Sequence, residues 1–580
     1  MILQSLVEFS RRERLVEDPL FSFAGVSWAI DIGANGEFLE LIDLRTESQG
    51  KGAKKKQPRQ FLIPKRPIRP GQQTIPAFLV DNAEYVLGLG DQDELRRNTR
   101  RARFAEITQN AALTTADPGA LAAVRFLSDD SAVQAAGTEL QSNRFASQEL
   151  ICFEYEGDYL HDSDSLKAYW RQQHSRQPGS ATTQCLVCGT AASMARLHTP
   201  IKYIPGASTA GVPLVSFNQS AFCSYGWEQN ENAPVCESCV SAYSTALNRC
   251  LSSQFPNPRD PESSLSRQAY TLGTNLTAVY WSDGSGSGIE EAIDPYRNPQ
   301  IVKALLETPY HRSTPSGHDL RFHCLLLQGT QGRATVRSYI TEPIADIQHN
   351  LLLWFEETEV GLENPLSLVQ IMSSLAVKNE LKKLPINLAG ELYLAVLLHR
   401  RIPYAALHLA VTRNRVEADV RPARAAFIQA WKNRENQPNE RTPSMKLDPE
   451  CASVGYQLGR LLAVCDSVQY RKTNSLNKTL VDRYFSAMST RPALVMGALL
   501  RLTKQIQSQI PRRMGSPPYL DFEISEILAR VEPNMPSSLE LKEQANFALG
   551  FYHQKQFRKS PKESTSAIEP ETSLREKEND

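Results

Sequence analysis

The apolar positions change period along the chain, and those changes divide it. Over residues 2–16, Leu3, Leu6, Val7 and Leu15 share one face of a short helix. Trp28 to Ile32 alternates, Asn35-Gly36 follows, and Phe38 to Ile42 is a second apolar run, which predicts a hairpin with a type I′ turn. Asp81-Asn-Ala-Glu-Tyr-Val-Leu-Gly88 reads as a helix start capped by Asp81 or Asn82. Residues 110–147 are Ala-rich and read as helix, and residues 150–160 as a strand and turn. Leu276 to Trp281 is a further strand, closed by the loop Asp283 to Gly288. His318–Leu327 and Arg333–Ile340 flank a Gly-Thr-Gln-Gly turn as another hairpin.

From about Asn364 the spacing becomes helical. Leu388–Leu398, Ala423–Trp431, Tyr456–Val468, Leu480–Phe485 and Leu494–Ile506 all show it, with Leu458, Leu461, Leu462, Cys465 and Val468 on one face. Pro-containing breaks at 438–449 and 511–518 separate some of these segments. The expected fold is α+β: a mixed N-terminal domain with a small antiparallel sheet and an inserted zinc-ribbon-like module, then an all-α helical bundle. The expected boundaries are 1–180, 181–250 for the insertion, 251–345 for the rest of the sheet domain, 360–557 for the bundle, and a disordered tail over 558–580.

Composition narrows the class. The chain has 580 residues, is 41% hydrophobic and carries no net charge, which suits a multidomain globular protein. Neutrality leaves nucleic acid open, because the placement of charge decides that question. No run of 18 apolar residues exists, so no membrane span is expected, and the N-terminus lacks the pattern of an export signal. A cytoplasmic location follows as an expectation.

Charge is concentrated in one place. From Lys51 to Val80 there is no acidic residue, while Lys51, Lys54, Lys55, Lys56, Arg59, Lys65, Arg66 and Arg69 are basic. Gly50, Gly52, Pro58, Pro64, Pro67 and Pro70 predict an extended loop able to follow a phosphate backbone. The alternative is a solvated loop that binds nothing. Arg96, Arg97, Arg100, Arg101 and Arg103 form a second basic stripe, flanked by Glu94 and Glu106; phosphate contact and a solvated face suit it equally.

The cysteines add a metal. Cys185-Leu-Val-Cys188-Gly and Cys236-Glu-Ser-Cys239 can place four thiolates around one tetrahedral zinc, with Gly189 easing the first knuckle. The interval between the pairs exceeds the usual spacing of about 15–20 residues. Buried or free thiols and a redox pair are the alternatives. A closed four-cysteine site has no open position for substrate, so zinc here is structural.

Motifs for catalysis are missing. The chain has no Walker loop and no H-E-x-x-H. The dipeptides His161-Asp162 (with Asp164 nearby) and His318-Asp319, and the pairs His318/His323 and His399/His408, lack assignable further ligands. Ordinary packing or surface exposure is the expected use of each.

Several runs together resemble one family. They are Met1-Ile-Leu-Gln, Asp81-Asn-Ala-Glu-Tyr-Val-Leu-Gly, Ala195-Arg-Leu-His, Ser216-Phe-Asn with Ser224-Tyr-Gly and Asn232-Ala-Pro, Tyr456-Gln-Leu-Gly-Arg-Leu-Leu-Ala-Val, Asp482-Arg-Tyr-Phe, and Phe547-Ala-Leu-Gly-Phe-Tyr-His-Gln. The chain resembles the large subunit of the type I-C CRISPR surveillance complex (Cascade) over almost its whole length. The resemblance implies a non-catalytic protein that reads a short motif (the PAM) flanking the target in double-stranded DNA and helps open the duplex for R-loop formation, while guide RNA reads the sequence. It implies backbone, guide-processing and small subunits as partners, and recruitment of a separate helicase–nuclease. It also implies that the C-terminal part can be made separately from an internal start, for which Met445 and Met488 are candidates. The paired knuckles are not shared by every member, so zinc would stabilise locally without reading DNA. Asn82, Asn218, Gln219 and Asn232 are the amides available to read base edges, with the basic loop on phosphates. Tyr225 and Trp227 can stack on a base, though core packing is their expected use. The rival functions are a metal-dependent nuclease and a zinc-containing scaffold that binds only protein.

Overall fold

The computed structural model describes residues 1–558 apart from 16–17, 48–55, 68, 70–73, 91–92, 144, 176–181, 254, 258–259, 285–319, 362–364, 436–445, 473–478, 511–517 and 532–534. The chain divides into two compact units. The first takes in Met1–Thr271, Asn275–Ser285 and Arg321–Thr341, and the second is built mainly from Glu342 onward. The segment 436–445, the expected tail from 559 onward and most of the glycine loop after Asp283 lie outside the described residues, as do His318 and Asp319.

The first unit begins with α1 (Ile2–Arg12), whose Leu6, Val7 and Phe9 are buried. Strands β1 (Phe21–Val26), β2 (Trp28–Ile32), β3 (Phe38–Asp43), β4 (Thr46–Glu47), β5 (Lys56–Gln57), β6 (Arg59–Pro64) and β7 (Asp81–Asn82) follow. Helices α2 (Ala83–Val86), α3 (Glu94–Thr115), α4 (Pro118–Ser128) and α5 (Asp130–Ser142) lead to β8 (Leu150–Tyr155) and β9 (Asp158–Tyr159). The sheet order is β3-β2-β8-β7, with β9 on β8. It is not purely antiparallel: β2 and β8 run parallel, Trp28 opposite Ile151. A parallel pair needs a long crossover, and α3–α5 lie within it. Their alanines allow close approach to the sheet, where Phe104 and Phe126 meet Phe153.

The β2–β3 hairpin forms, but its turn is not type I′. Gly36 has a φ of +89° while Asn35 is not in the left-handed region. The Gly36 amide donates to the Gly33 carbonyl and Glu37 accepts from the Asn35 amide, so a single left-handed glycine closes the turn. The register shifts after Asp31 to absorb the extra residue.

The basic segment is not one extended loop. Residues 59–64 are strand β6, paired antiparallel with β1, and Lys56 pairs opposite Glu47.

After α6 (Asp164–Ser175) come the short strands β10 (Thr182–Gln184) and β11 (Ala191–Ser193), then α7 (Glu237–Leu251). Strands β12 (Phe255–Asn257) and β13 (Asp260–Leu265) pair with each other. A separate four-stranded sheet has the order β14 (Ala269–Thr271), β15 (Leu276–Ser282), β16 (Arg321–Thr330) and β17 (Arg333–Pro343). These later strands therefore do not complete the first sheet. One core joins Leu6, Val7 and Phe9, the knuckle cysteines, the length of α7, and Val279, Trp281, Leu325 and Leu327. The cysteine module is thus part of a shared core, not a self-standing insertion.

The second unit is helical among its described residues: α8 (Ile344–Glu357), α9 (Leu368–Ser374), α10 (Ile386–Leu397), α11 (Tyr404–Glu417), α12 (Pro422–Glu435), α13 (Val454–Lys472), α14 (Leu480–Met488), α15 (Pro492–Ser508), α16 (Pro518–Val531) and α17 (Leu541–Phe557). Of these, α8, α9, α11, α16 and α17 lie outside the helical segments expected from spacing. Helix α13 packs on α14, α15, α16 and most closely on α17. At that crossing Gly455, Gly459 and Gly550 let backbone touch backbone: a methyl at Gly459 would overlap the Phe547 carbonyl, and one at Gly550 the Tyr456 carbonyl. The buried Arg460 donates to Gln554 and Gln457, and the Tyr456 hydroxyl meets His553 Nδ1 at 3.0 Å. The runs starting at Tyr456 and Phe547 are therefore packing motifs. Met488 closes α14, and a chain begun there would lack α13.

Gly459→Ala should lower the unfolding free energy of the helical unit by about 2–3 kcal/mol, the cost of overpacking a closed interface. Denaturant unfolding followed by hydrogen exchange in α17 checks this; unchanged exchange would show that the helices separate without strain.

Candidate metal centre and nucleic-acid interface

The first knuckle is a tight turn between β10 and β11. The Gly189 amide donates to the Cys185 carbonyl at 2.9 Å, and Gly189 takes a φ of +74°, which glycine adopts without strain. The second pair straddles a helix start: Cys236 is the N-cap of α7 and Cys239 lies in its first turn. That is a hairpin facing a helix, not the two hairpins of a ribbon. Backbone bonds hold the halves together, Leu186 N to Pro234 O at 2.9 Å and Ala195 N to Val235 O at 3.0 Å. Amides of Val187 and Cys236 both point at Cys185 Sγ, 3.4 and 3.3 Å away.

All four sulfurs lie within 4.8 Å of one another, and Cys188 and Cys236 are 3.8 Å apart. A tetrahedron of bonds of about 2.3 Å needs sulfur–sulfur edges of about 3.8 Å, so the four cysteines fit such an ion. Burial pushes the Cys236 and Cys239 thiols up, while the Thr190 hydroxyl, foremost, holds Cys188 down to about 6. Four thiolates this close repel, and a bound cation reverses that balance. All ten cysteines are free of disulfides.

The knuckles carry a projecting loop. His198 is buried and bonds Tyr243 of α7 through Nδ1 (2.6 Å) and Asn230 through Nε2 (2.7 Å). Asn230 donates in turn to the carbonyls of Ala195 and Val235, beside the cysteines. Asn232 is consumed internally: its Oδ1 accepts from the Ser224 amide and its Nδ2 donates to the Trp227 and Gln229 carbonyls. Glu228 and Glu231 close a capping box in the same loop. Beyond these staples the loop faces solvent. Asn218 and Gln219 are exposed. Tyr225 is 93% exposed, Trp227 51% and Phe222 39%, so the two aromatics expected to pack in a core do not.

The basic residues divide into committed and free. Lys51, Lys54 and Lys55 lie outside the described residues. Lys56 pairs with Asp43 at 2.7 Å on the surface. Arg59 is exposed over the Phe61 ring. Asp81 is fully buried, and its carboxylate accepts from Arg66, Arg69, and the amides of Ala77 and Asn82. Arg69 also lies 3.9 Å from the Tyr85 ring centroid. Asp81 is therefore a charge anchor instead of a helix cap. Asn82 takes the N-cap position of α2 without a side-chain cap bond, and its Oδ1 is buried and unpartnered. In the second stripe Arg100 pairs with Glu84, Arg101 with Asp130, and Arg103 with the Thr74 carbonyl.

Of the candidate histidines, His318 lies outside the described residues and the others pack against neighbours or face solvent. His161 is buried between Phe61 and Tyr159, its ring nitrogens without a hydrogen bond and Nε2 3.9 Å from Asp162, and burial lowers it to about 4. His323 bonds Tyr339 and Asp283, His399 bonds Glu357, and His408 is exposed. Among the described residues the four cysteines are the only cluster of His, Cys, Asp or Glu placed to hold a metal. No described helix is long and apolar enough to cross a membrane.

A family model described as CRISPR-associated protein (Cas_Csd1) matches residues 5–559. No curated protein matches the chain.

Purified protein should carry about one zinc per chain, and Cys236→Ser/Cys239→Ser should lose it. Equal metal content in the two would overturn the centre. His161 makes the first unit sensitive to acid. Above pH 6.5 the ring is neutral folded or unfolded and its contribution is complete. As pH falls from 6.5 toward about 4 the unfolded chain takes up the proton first, so stability drops, by about 2 kcal/mol at pH 5. Hydrogen exchange across Leu150–Asp162 should show this loss, and His161→Phe should remove it; the same pH slope in both would exclude His161 as the source.

Proposed function

Since the chain belongs to the Cas_Csd1 family of CRISPR-associated proteins, we propose that it is the non-catalytic large subunit of a type I-C Cascade complex, reading the flanking motif of double-stranded DNA. The observation that carries this reading is the loop 216–232, stapled from within by Asn232 and anchored to the knuckles by Asn230, yet open to solvent along Asn218, Gln219, Tyr225 and Trp227. Preorganised amides can bond base edges in a groove, and exposed aromatic faces can stack on a base as it leaves the duplex.

The roles then separate by chemistry. Asn218 and Gln219 read base edges. Lys56, Arg59 and Lys65 contact phosphates, with Lys51, Lys54 and Lys55 continuing the basic run. Asn232 positions the loop, and Arg66 and Arg69 carry the charge left over from Asp81. Zinc on Cys185, Cys188, Cys236 and Cys239 stabilises the loop's base. Guide RNA, the other Cascade subunits and a separate helicase–nuclease are the partners in this reading, and the helical unit is the surface for the displaced strand and for recruitment.

The guide-loaded assembly, with and without this chain, should be compared by gel shift on duplexes differing only in the flanking motif. Binding should require the chain and one motif, and Asn218→Ala/Gln219→Ala should reduce discrimination roughly 10- to 100-fold, the worth of lost base-edge bonds. Equal binding without the chain would make it a scaffold, and divalent-dependent cleavage by the chain alone would make it a nuclease.

A further inference from the structure

The tip of the β16–β17 hairpin is exposed, with Gln331-Gly332 between Thr330 and Arg333, and it stands against the loop that begins at Ser216. Hairpin and loop have their footing on one stretch of the first unit. Ile201 and Val212 pair through two backbone bonds of 2.8 and 2.9 Å, and the loop starts soon after Val212. The hairpin rests on the segment between those two residues. A methyl at Gly329 would overlap the Pro205 carbonyl, and one at Gly206 would strike the Asn275 side chain. Asn275 also bonds Gly329 twice: its carbonyl accepts from the Gly329 amide at 3.0 Å, and its Nδ2 donates to the Gly329 carbonyl at 2.8 Å. The tip is thereby fixed relative to the base of the loop.

One side-chain contact joins them directly. The Arg333 guanidinium lies over the Phe222 ring, 5.4 Å from its centroid. Phe222 ends a single turn in which its amide donates to the Gln219 carbonyl at 2.9 Å, so Arg333 is held one turn from the exposed Gln219. Among the described residues no carboxylate contacts Arg333, and its guanidinium makes no hydrogen bond. The loop's own acids, Glu228 and Glu231, close their capping box instead. The strand's other arginine, Arg337, is bonded to Gln328 at 2.6 Å. Arg333 is the uncommitted cation at this edge of the loop.

Stacking prepares that cation for an anion. A ring against one face of a guanidinium leaves the N–H donors around its rim free. Part of the side chain's freedom is spent before any ligand arrives, which lowers the cost of binding. The rim donors match the paired oxygens of a phosphodiester. The neighbours suit a nucleic-acid strand: the amides of Asn218 and Gln219, and the exposed rings of Tyr225 and Trp227 with centroids 6.1 Å apart.

We propose that Arg333, positioned by Phe222, grips a phosphodiester of the target DNA beside the bases met by Asn218 and Gln219. This deepens the motif-reading proposal above and rests on it, and it adds a cation far outside the basic run. The contact carries no sequence information, because a phosphate is the same at every step. It sets the register at which the loop meets the groove.

The test is salt-dependent binding of the guide-loaded assembly to duplexes with matched and mismatched flanking motifs. The chains compared are wild type, Arg333→Gln, Arg333→Lys, Phe222→Leu and Arg333→Gln/Phe222→Leu. Loss of one phosphate contact should reduce the slope of log affinity against log salt by about 0.9 in Arg333→Gln, while Arg333→Lys keeps it. Phe222→Leu should keep the slope, since the charge remains, and weaken binding about 2- to 5-fold. Added to Arg333→Gln it should cost nothing more, because Phe222 acts through Arg333. The ratio between the two duplexes should be unchanged throughout, as should thermal melting, since both side chains are exposed. An unchanged slope in Arg333→Gln overturns the contact. A changed ratio would put Arg333 on a base edge, and an equal Phe222→Leu loss in both backgrounds would make Phe222 a DNA contact of its own; either overturns the proposal. If wild type ignores the flanking motif while Arg333→Gln still lowers the slope, the phosphate contact stands and the motif-reading role falls.

Discussion

Helix α7 has almost no solvated face: eleven of its fifteen residues are buried. A helix in that position must be covered on every side, and that requirement arranges the second half of the first unit. Helix α1 lies along it, β15 packs on it, the segment 198–203 is bonded to Tyr243 and Asn248, and the cysteine pair closes its N-terminus. The free N–H groups and the positive end of the dipole there favour thiolate over thiol at Cys236 and Cys239, whereas burial works against it. The two effects oppose each other, and a metal ion bound by the four sulfurs would resolve them. The projecting loop inherits its rigidity from this arrangement through Asn230.

Asp81 plays the corresponding part for the basic segment. A fully buried carboxylate must be paired, and four donors converge on it from residues 66, 69, 77 and 82. The chain from the end of β6 to the start of α2 is folded around that charge. The consequence reaches the surface: a stretch with eight cations and no acid has part of its charge spent internally, and among its described cations Arg59 and Lys65 have no contacting carboxylate.

In the second unit the organising contact is the approach of α13 to α17 through glycine. Backbone contact at Gly455, Gly459 and Gly550 brings Arg460 and Tyr456 within reach of Gln554 and His553. A buried guanidinium satisfied by amides instead of carboxylates specifies this pairing of helices, because no other alignment supplies its acceptors.

The sequence by itself determined what depends on neighbours along the chain. Periodicity located α1, the β2–β3 hairpin, β15 and five helices of the second unit, and C-x-x-C spacing identified the four thiols, since local burial and knuckle geometry are written in short intervals. Alanine-rich α11 was not legible, because small side chains give a weak apolar stripe, and the turn at Gly36 depended on Glu37 bonding as much as on Asn35-Gly36. Only the tertiary structure decided that Tyr225 and Trp227 face water, that Asp81 takes Arg66 and Arg69, and that Asn232 spends its amide inside its loop. Each of those outcomes is a through-space choice of partner between residues whose separation in sequence carries no trace of it.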